Sequence, residues 1–376
     1  MITTINNKHK KLYVPNLRFP EFQGEWNSFL INDVCSEFKS GKNIKADSIS
    51  ESGEYPVYGG NGLRGYTSSY NHEGSYVLIG RQGALCGNVR SVYGKTYITE
   101  HAIAVAGNEK SNTNFLHYLF LKMNLGQYSD QSAQPGLAVN KLLKLKVALP
   151  IISEQTKIAK LLSLLDERIA TQNKIIEDLK RLKSAIIEKL FKEIQGTWYS
   201  YRQLFSIINE RNKQLEYSNV LSASQERGMV SREDLNLDIH FERSNISTYK
   251  IVKNGDYVIH LRSFQGGFAF SEKTGICSPA YTVLRPNNLL VYGYLSNYFT
   301  SRDFVKSLII VTYGIRDGRS INVDEWLDMK VVIPSKEQQT HIVNVIESIE
   351  NKIKNEETYS NCLLNQKQYI LRQMFI

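Results

Sequence analysis

The segment 154–193 restricts most strongly what this chain can fold into. It contains neither glycine nor proline and is dense in Leu, Ile, Lys and Glu. Its apolar residues alternate in steps of four and three, which predicts a helix whose narrow apolar seam faces a partner helix rather than a broad core. At 1.5 Å per residue this helix is roughly 60 Å long. The predicted seam is Ile158, Leu162, Leu165, Ile169, Ile176, Leu179 and Ile186.

The same pattern recurs 184 residues later, without a gap. Both copies follow a short β-type run that ends in proline, LKVALPIISEQTKI and MKVVIPSKEQQTHI. Polar residues interrupt both seams at matching places, and we interpret them as register markers: Gln172 with Glu356, and Lys183 with Lys367. The second seam is Ile342, Ile346, Ile349, Ile353, Leu363 and Ile370.

Shorter matches extend the repeat upstream of each helix. Gly24-Glu-Trp26 resembles Gly196-Thr-Trp198, and GSYVLIGR at 74–81 resembles GDYVIHLR at 255–262. Each domain also has one shorter predicted helix, NTNFLHYLFLKMN and YGYLSNYFTSRDFVKSL. The sequence therefore predicts an α+β chain with two pseudo-repeated mixed α/β domains and a pair of long antiparallel coiled-coil helices. The predicted ranges are 1–153 for an N-terminal arm and first domain, 154–195 for the central helix, 196–336 for the second domain and 337–376 for the C-terminal helix.

Composition limits the cellular setting and the class of partner. The net charge of +9 is compatible with a polyanion such as nucleic acid. No apolar run approaches the 18 residues of a membrane span, and the N-terminal residues lack the apolar core of a secretory signal. The four cysteines are far apart, which favours a reducing cytoplasm and argues against structural zinc.

Enzyme signatures are missing from the sequence. There is no GxGxxG after a strand, no GxSxG or HExxH, and no Asn-Pro-Pro-aromatic run of an amino-methyltransferase. The histidines show no metal-ligand spacing, and we interpret isolated ones such as His101 and His117 as packed or hydrogen-bonded rather than catalytic. We therefore expect a binding protein without catalytic residues, a metal site or a cofactor of its own.

Polar loops supply the candidate contact residues of the first domain. Arg and Asn are the important residue types because their paired donors and acceptors match the edges of guanine and adenine. A glycine-rich structural turn with a solvated arginine, or a phosphate contact, is the alternative for each position. The candidates are Tyr58, Asn61 and Arg64 in YPVYGGNGLRGY, Arg81 and Gln82 after a β run, and Gln131 and Gln134 in QYSDQSAQPG.

The second domain carries polar loops at corresponding places, as expected if one task is performed twice. The candidates are Ser222, Ser224, Gln225 and Arg227, then His260, Arg262 and Gln265, and finally Tyr313, Arg316 and Arg319.

With both units in view, the chain resembles the specificity subunit of a type I restriction-modification enzyme. The resemblance covers nearly the whole length and rests on the repeated LP–EQ helix entry, the runs YPVYGGNG and LIGRQGA, the runs VLSASQERG and GDYVIHLRS, and the arm VPNLRFPEFQGEW. Taken singly these motifs are weak. As an ordered and duplicated set they are specific.

The resemblance implies a non-catalytic subunit in which each domain is a target-recognition domain that reads one half of a bipartite sequence in double-stranded DNA. It implies that the helices set the spacer and dock two methyltransferase subunits and the restriction/translocase subunits. S-adenosylmethionine, ATP and magnesium would then be bound by those partners.

Two other classes of protein stay open at this point. A coiled-coil scaffold with sugar- or protein-binding domains would show no salt-dependent binding to duplex DNA. A nuclease or methyltransferase with unrecognised motifs would turn over substrate as an isolated chain.

Overall fold

The computed structural model describes residues 13–129, 135–224, 227–235, 243–260, 267–313 and 320–376. These residues form two compact units, Met1–Asn173 with Thr358–Ile376, and Lys174–Glu357. Both units mix helices and strands, so the predicted α+β class is confirmed. Within the described ranges, no helix is both long and apolar enough to cross a membrane.

The first unit is built on a six-stranded sheet with the order β2-β7-β5-β6-β3-β4, in which β3 runs parallel to β6 and the other neighbours are antiparallel. A separate antiparallel pair joins β1 to β8. The strands are β1 Asn27–Leu30, β2 Cys35–Ser40, β3 Tyr55–Gly59, β4 Gly62–Thr67, β5 His72–Gly80, β6 Val89–Ile98, β7 Ala102–Gly107 and β8 Lys146–Leu149. The short helices are α1 Ile31–Val34, α2 Thr113–Met123 and α3 Val139–Leu142.

Side-chain alternation along β5 places two cores on opposite faces of this sheet. Val77 and Ile79 belong to the same buried cluster as Phe115 of α2, whereas Leu78 belongs to a smaller cluster on the other face. Helix α2 begins at its predicted place because the side chain of Asn112 accepts hydrogen bonds from the backbone N–H groups of the second and third helical residues.

The second unit contains a four-stranded antiparallel sheet with the order β10-β17-β14-β15 and four two-stranded pairs, β9–β20, β11–β12, β13–β16 and β18–β19. Its strands are β9 Thr197–Ser200, β10 Phe205–Ile208, β11 Leu221–Ser224, β12 Gly228–Ser231, β13 Lys250–Val252, β14 Tyr257–Ile259, β15 Phe268–Phe270, β16 Gly275–Cys277, β17 Thr282–Pro286, β18 Thr312–Tyr313, β19 Ser320–Ile321 and β20 Lys330–Ile333. After α4, described below, its short helices are α5 Tyr201–Leu204, α6 Tyr294–Tyr298, α7 Arg302–Ser307 and α8 Val323–Asp328.

The single helix predicted for YGYLSNYFTSRDFVKSL is wrong, because this run forms two helices, α6 and α7. Ser301 separates them: its backbone is extended and its hydroxyl accepts a hydrogen bond from the N–H of Phe304, which starts α7. The aromatic residues of this region fill the core, where Tyr201 stacks on Trp326 with ring centroids 4.3 Å apart.

The predicted match between Trp26 and Trp198 is also wrong. Trp26 is 2% exposed and precedes β1, whereas Trp198 is 65% exposed and lies inside β9. Asn27 pairs with Leu149, the last residue of β8 before a proline. Thr197 pairs with Ile333, the last residue of β20 before a proline. The two sequences therefore correspond with a shift of two residues, and a two-residue shift keeps the strand alternation intact, so the pattern alone could not exclude it.

A one-residue error affects the match between GSYVLIGR and GDYVIHLR. That match aligns Val77 with Val258, but Val77 and Ile79 face the core that contains α2, and Tyr257 and Ile259 face the core that contains α6 and α7. Val258 belongs to a cluster on the opposite face of its sheet. Tyr257 is therefore the counterpart of Val77, because a shift of one residue moves a side chain to the other face.

Two long helices contribute residues to both units, α4 Ile152–Lys192 and α9 Lys336–Met374. Each begins slightly before its predicted start and ends slightly before its predicted end. In the first unit, Asp166 of α4 pairs with Lys367 of α9 at 2.5 Å, and Ser360 donates a hydrogen bond to Asn173 at 3.0 Å. The α9 partner moves back along the chain as the α4 residue advances, so this contact is antiparallel.

The second unit contains the complementary parts of the two helices, with the same direction of pairing. Lys180 pairs with Glu357 at 2.6 Å and Lys183 pairs with Glu350 at 2.5 Å. The polar seam residues Lys183 and Lys367 form ion pairs between the two long helices. Each lysine pairs with a carboxylate of the other long helix within its own unit.

The seams are the less exposed side of both helices, but the expectation that they face only a partner helix is wrong at the helix starts. There, Ile158 and Leu162 belong to the core of the first unit together with Trp26, and Ile342 and Ile346 belong to the core of the second. The buried predicted seam residues are Ile158, Leu162, Leu165, Ile169, Ile342, Ile346, Ile353, Leu363 and Ile370. The partly buried ones are Ile176, Leu179, Ile186 and Ile349.

Candidate nucleic-acid interface

Three turns of the first unit meet at one open pocket of about 430 Å³. They are the β3–β4 hairpin turn, the turn after β5 and the turn between β6 and β7. Three of the predicted contact residues, Asn61, Arg64 and Gln82, come together here although they lie on different turns or strands. The lining consists of Gly59, Gly60, Asn61, Arg64, Gln82, Gly83 and His101.

The glycines of the hairpin permit this close approach. A Cβ atom on Gly60 would lie 2.7 Å from the backbone oxygen of His101, and one on Gly59 would lie 2.9 Å from the Cδ atom of Arg64. A side chain at Gly60 would therefore push the hairpin away from the β6–β7 turn, whereas the flexible Arg64 side chain could move aside for one at Gly59. The glycine-rich sequence therefore brings turns together, in addition to reversing the chain.

The turn after β5 is tied to its neighbours by backbone hydrogen bonds. The N–H of Arg81 donates to the carbonyl of His101 at 2.9 Å, and the carbonyl of Arg81 accepts from the N–H of Leu137 at 2.9 Å. The Oε1 atom of Gln82 lies 3.3 Å from Nδ1 of His101, whose Nε2 lies 3.2 Å from a carboxylate oxygen of Glu100. His101 thus lines the pocket and has a polar partner at each ring nitrogen, in agreement with our interpretation of it as a packed or hydrogen-bonded residue.

Arg90 is a further basic residue beside the β3–β4 hairpin, outside the pocket lining, that the sequence did not single out. It lies on β6, is exposed, and its guanidinium carbon would be 3.0 Å from a Cβ atom on Gly62. Gly62 has a φ of +106°, a conformation that favours glycine. In the sequence Arg90 stands in an ordinary strand run, NVRSVY, with no motif that marks it.

The remaining predicted residues of the first domain lie elsewhere. Tyr58 is half-buried and packs against the smaller core, on the sheet face opposite α2, so its ring supports the hairpin. The side chain of Arg81 is half-buried and is not part of the pocket lining. Gln131 and Gln134 lie outside the described residues.

In the second unit, the described candidates are divided between buried and exposed positions. Ser222 is 8% exposed and accepts a hydrogen bond from Nε of Arg232 at 3.2 Å, which makes it part of the β11–β12 hairpin interior. The hydroxyl of Ser224 accepts from the N–H of Arg227 at 3.4 Å, and Arg227 is exposed. Burial lowers the pKa of His260, which lies 6.0 Å from the ring of Tyr281.

The other candidates of the second unit cannot be compared with the first site. For Tyr313 only the backbone is described, paired with Ser320 in β18–β19. The candidates outside the described residues are Gln225, Arg262, Gln265, Arg316 and Arg319.

A buried glutamine at the start of α4 fixes the helix to its unit. Gln155 has no exposed surface, and its side-chain oxygen accepts from the N–H of Asn112 at 2.8 Å. Its side-chain nitrogen donates to the carbonyls of Lys110 and Pro150 at 2.9 and 2.8 Å. The glutamine of the EQT run after the proline thus has a structural role, which the sequence pattern did not reveal.

Gln339 occupies the corresponding place at the start of α9. Its side-chain oxygen accepts from the N–H of Val291 at 2.8 Å, and its nitrogen donates to the carbonyls of Leu289 and Pro334 at 3.0 and 3.1 Å. It is 1% exposed. Each unit therefore holds its long helix through the same three side-chain hydrogen bonds.

The site offers groups for polar recognition. Amide and guanidinium side chains present paired donors and acceptors toward the open pocket, which suits base edges and phosphates. Within the part of the chain that the structure describes, no cluster of three or more His, Cys, Asp or Glu side chains could hold a metal ion.

Residues 23–181 match the family model of the type I restriction modification DNA specificity domain. The chain is also 24% identical over 351 residues to a putative type I restriction enzyme specificity subunit of Haemophilus influenzae, with 87% of each chain covered. The segment 23–181 is thus similar to a type I restriction modification DNA specificity domain, and most of the chain is similar to a type I specificity subunit. The segment that the family model matches contains the pocket, Gly59 and Gly60 of its hairpin, and Gln155.

Further type I specificity subunits show the extent of this similarity. The chain is 40% identical over 173 residues to the EcoprrI specificity subunit of Escherichia coli, a match that covers 45% of this chain and 42% of that protein. Its fold resembles a crystal structure of the S subunit from M. genitalium, with a TM-score of 0.62, 15% identity, and coverage of 96% of this chain and 99% of that one. A structure from a study of type I complex assembly has a TM-score of 0.59 at 14% identity, with 93% and 97% covered.

Proposed function

We propose that this chain is the non-catalytic DNA-reading subunit of a type I restriction-modification complex. The observation that carries the proposal is the convergence of Asn61, Arg64 and Gln82 on one solvent-open pocket of a type I specificity domain. Asn and Gln match the edge of adenine in duplex DNA, and Arg binds either guanine edges or phosphates. The open form of the pocket allows a duplex to reach them without rearrangement of the sheet.

In this proposal, each globular domain reads one half of a bipartite target. Support comes from the strand orders β2-β7-β5-β6 and β10-β17-β14-β15, which have the same connectivity, and from the shared hydrogen bonds of Gln155 and Gln339. Two similar readers on one chain are suited to two half-sites about one turn of DNA apart. The predicted ranges 1–153 and 196–336 are the two reading domains of this proposal.

The two long helices form the antiparallel pair that separates the reading domains and sets the spacer. Ion pairs between the helices in both units support it, Asp166 with Lys367 in the first unit and Lys183 with Glu350 in the second. A helix of 41 residues is about 60 Å long, enough to span one turn of DNA. The helix faces away from the seam are the docking surfaces for two methyltransferase subunits and for restriction subunits.

The chemistry belongs to those partners in this proposal. Methyltransferase subunits use S-adenosylmethionine, restriction subunits use ATP and magnesium, and this chain binds no cofactor and acts in the cytoplasm. The alternative of a coiled-coil scaffold for sugars or proteins lacks a specific observation in its favour.

The proposal is tested by methylome sequencing of cells that express the chain with its methyltransferase partner. We expect one split motif, methylated once on each strand. Exchange of residues 23–150 with those of a relative of different specificity should change one half of the motif and leave the other half and the spacer unchanged. A continuous motif, or a change in both halves, would overturn the assignment of one half-site to each domain.

A further inference from the structure

We propose that Arg64 and Arg90 form a phosphate clamp, which holds one strand of the DNA backbone while Asn61 and Gln82 read the base beside it. This inference rests on the proposed function and divides the site into two chemical roles. Its ligand is the phosphodiester group of double-stranded DNA.

A pair of glycines brings the two arginines to the same turn. Gly59 and Gly62 oppose each other in the β3–β4 hairpin. The Cδ atom of Arg64 lies against Gly59 and the guanidinium of Arg90 lies against Gly62, at 2.9 and 3.0 Å from the positions of the missing Cβ atoms. The two side chains therefore flank a single glycine pair, although they come from different strands.

Neither arginine is neutralised by the protein. Within the described ranges, no carboxylate lies at ion-pair distance from Arg64 or Arg90, and both side chains are exposed. The nearby carboxylate of Glu100 is engaged with His101 instead. A phosphate accepts hydrogen bonds from two guanidinium forks, so an anion over the glycine pair would neutralise both arginines.

The other two polar side chains of the pocket have a different chemistry. Asn61 and Gln82 are exposed amides, and a side-chain amide matches the paired donor and acceptor of adenine in the major groove. Uncharged amides contribute little to the salt dependence of binding. The geometry thus separates residues that position the backbone from residues that read sequence.

The experiment measures binding of the assembled complex, this chain with its methyltransferase partner, to a duplex that carries the split motif and to a scrambled duplex, across a range of salt concentrations. Arg64→Ala and Arg90→Ala are each expected to weaken binding to both duplexes equally, on the order of tenfold at 0.1 M salt, and to reduce the salt slope by about 0.9. Arg90→Lys keeps the charge and should retain most of the slope, which excludes misfolding as the cause.

Asn61→Ala and Gln82→Ala should weaken binding only to the split motif and should leave the salt slope unchanged. Arg202→Ala is the matched control, because it removes the same charge from an exposed residue outside the long helices that pairs with Asp328 of its own unit. The clamp is wrong if Arg90→Ala behaves like Arg202→Ala, or if its loss is confined to one base pair. If the unmodified complex does not distinguish the two duplexes, the proposed function fails, while a reduced salt slope would still support the clamp.

Discussion

Gln155 and Gln339 make the same three hydrogen bonds at the first turns of helices that begin 184 residues apart. Each side chain accepts from one backbone N–H and donates to two carbonyls, and one of those carbonyls belongs to the proline before the helix. A glutamine that is fully enclosed and fully bonded cannot be replaced by an apolar residue without leaving buried backbone groups unpaired.

Replacement of the second glutamine, Gln339→Leu, should therefore destabilise the second unit by about 1–3 kcal/mol, because the N–H of Val291 and two carbonyls lose their partners. Amide hydrogen exchange measures the effect locally, and the Val291 amide should exchange faster. Gln338→Leu is the matched control, since its side chain is exposed. Equal exchange rates in the two variants would show that the buried hydrogen bonds do not hold the helix.

The ion pair between Lys183 and Glu350 should contribute a small, measurable coupling between the long helices of the second unit. Both groups are partly exposed, so the coupling energy should be about 0.2–1 kcal/mol rather than the value of a buried pair. Lys183→Glu and Glu350→Lys each place like charges together, whereas the double exchange restores attraction. Denaturant unfolding of the four proteins gives the coupling from a double-mutant cycle. Additive effects of the two exchanges would mean that the pair does not stabilise the helix contact.

His117 should make the first unit less stable in mild acid. Burial, reinforced by the nearby charge of Lys367, lowers the pKa of His117 to about 4, and its Nδ1 atom has no hydrogen-bond partner. The unfolded chain binds this proton near its ordinary pKa of about 6.5 and the folded chain does not. Stability is therefore complete above the unfolded pKa and falls as the pH is lowered towards 4, by roughly 3 kcal/mol across this window.

The variant His117→Gln removes this titration. Urea unfolding of the first unit between pH 7 and pH 4 should show a weaker pH dependence in His117→Gln than in the unmodified protein. His341→Gln, a change at an exposed position, is the control. An unchanged pH dependence in His117→Gln would assign the acid sensitivity to other groups.

The sequence predicted the large elements because their patterns are periodic. The long helices were identified from seam spacing, and their boundaries agree closely with Ile152–Lys192 and Lys336–Met374. From the sequence, Asn61, Arg64 and Gln82 were predicted only as separate polar contact residues, and their convergence on one pocket was not predicted. Their meeting depends on glycines that allow turns from separate strands to touch, which a linear pattern does not encode.

The errors have equally specific causes. The Trp26 match failed because a two-residue shift preserves strand alternation, and the Val77 match failed because apolar residues stand on both faces of β5 and β14. Arg90 was missed because a lone arginine in a strand carries no sequence signal. Its role emerges only from its contact with Gly62, a residue on another strand.

A change in the length of the helix pair should change the DNA spacer. Removal of one heptad from α4 alone, for example 162–168, also removes Leu162 and Leu165 from the core of the first unit, so loss of folding would obscure the result. A balanced deletion of 171–177 from α4 and 357–363 from α9 avoids that core. Seven residues correspond to about 10 Å of helix.

At about 3.4 Å per base pair, the balanced deletion should shorten the spacer of the methylated motif by about three base pairs. Methylome sequencing of cells that express the deleted chain with its methyltransferase partner measures the spacer directly. Both half-sites should keep their sequence, because the reading loops are unchanged. Deletion of 171–177 from α4 alone serves as the control. It shifts α4 relative to α9, so the ion-pair partners no longer face each other, and it should abolish methylation. A balanced variant that methylates the original motif with its original spacer would show that the helices do not set the distance.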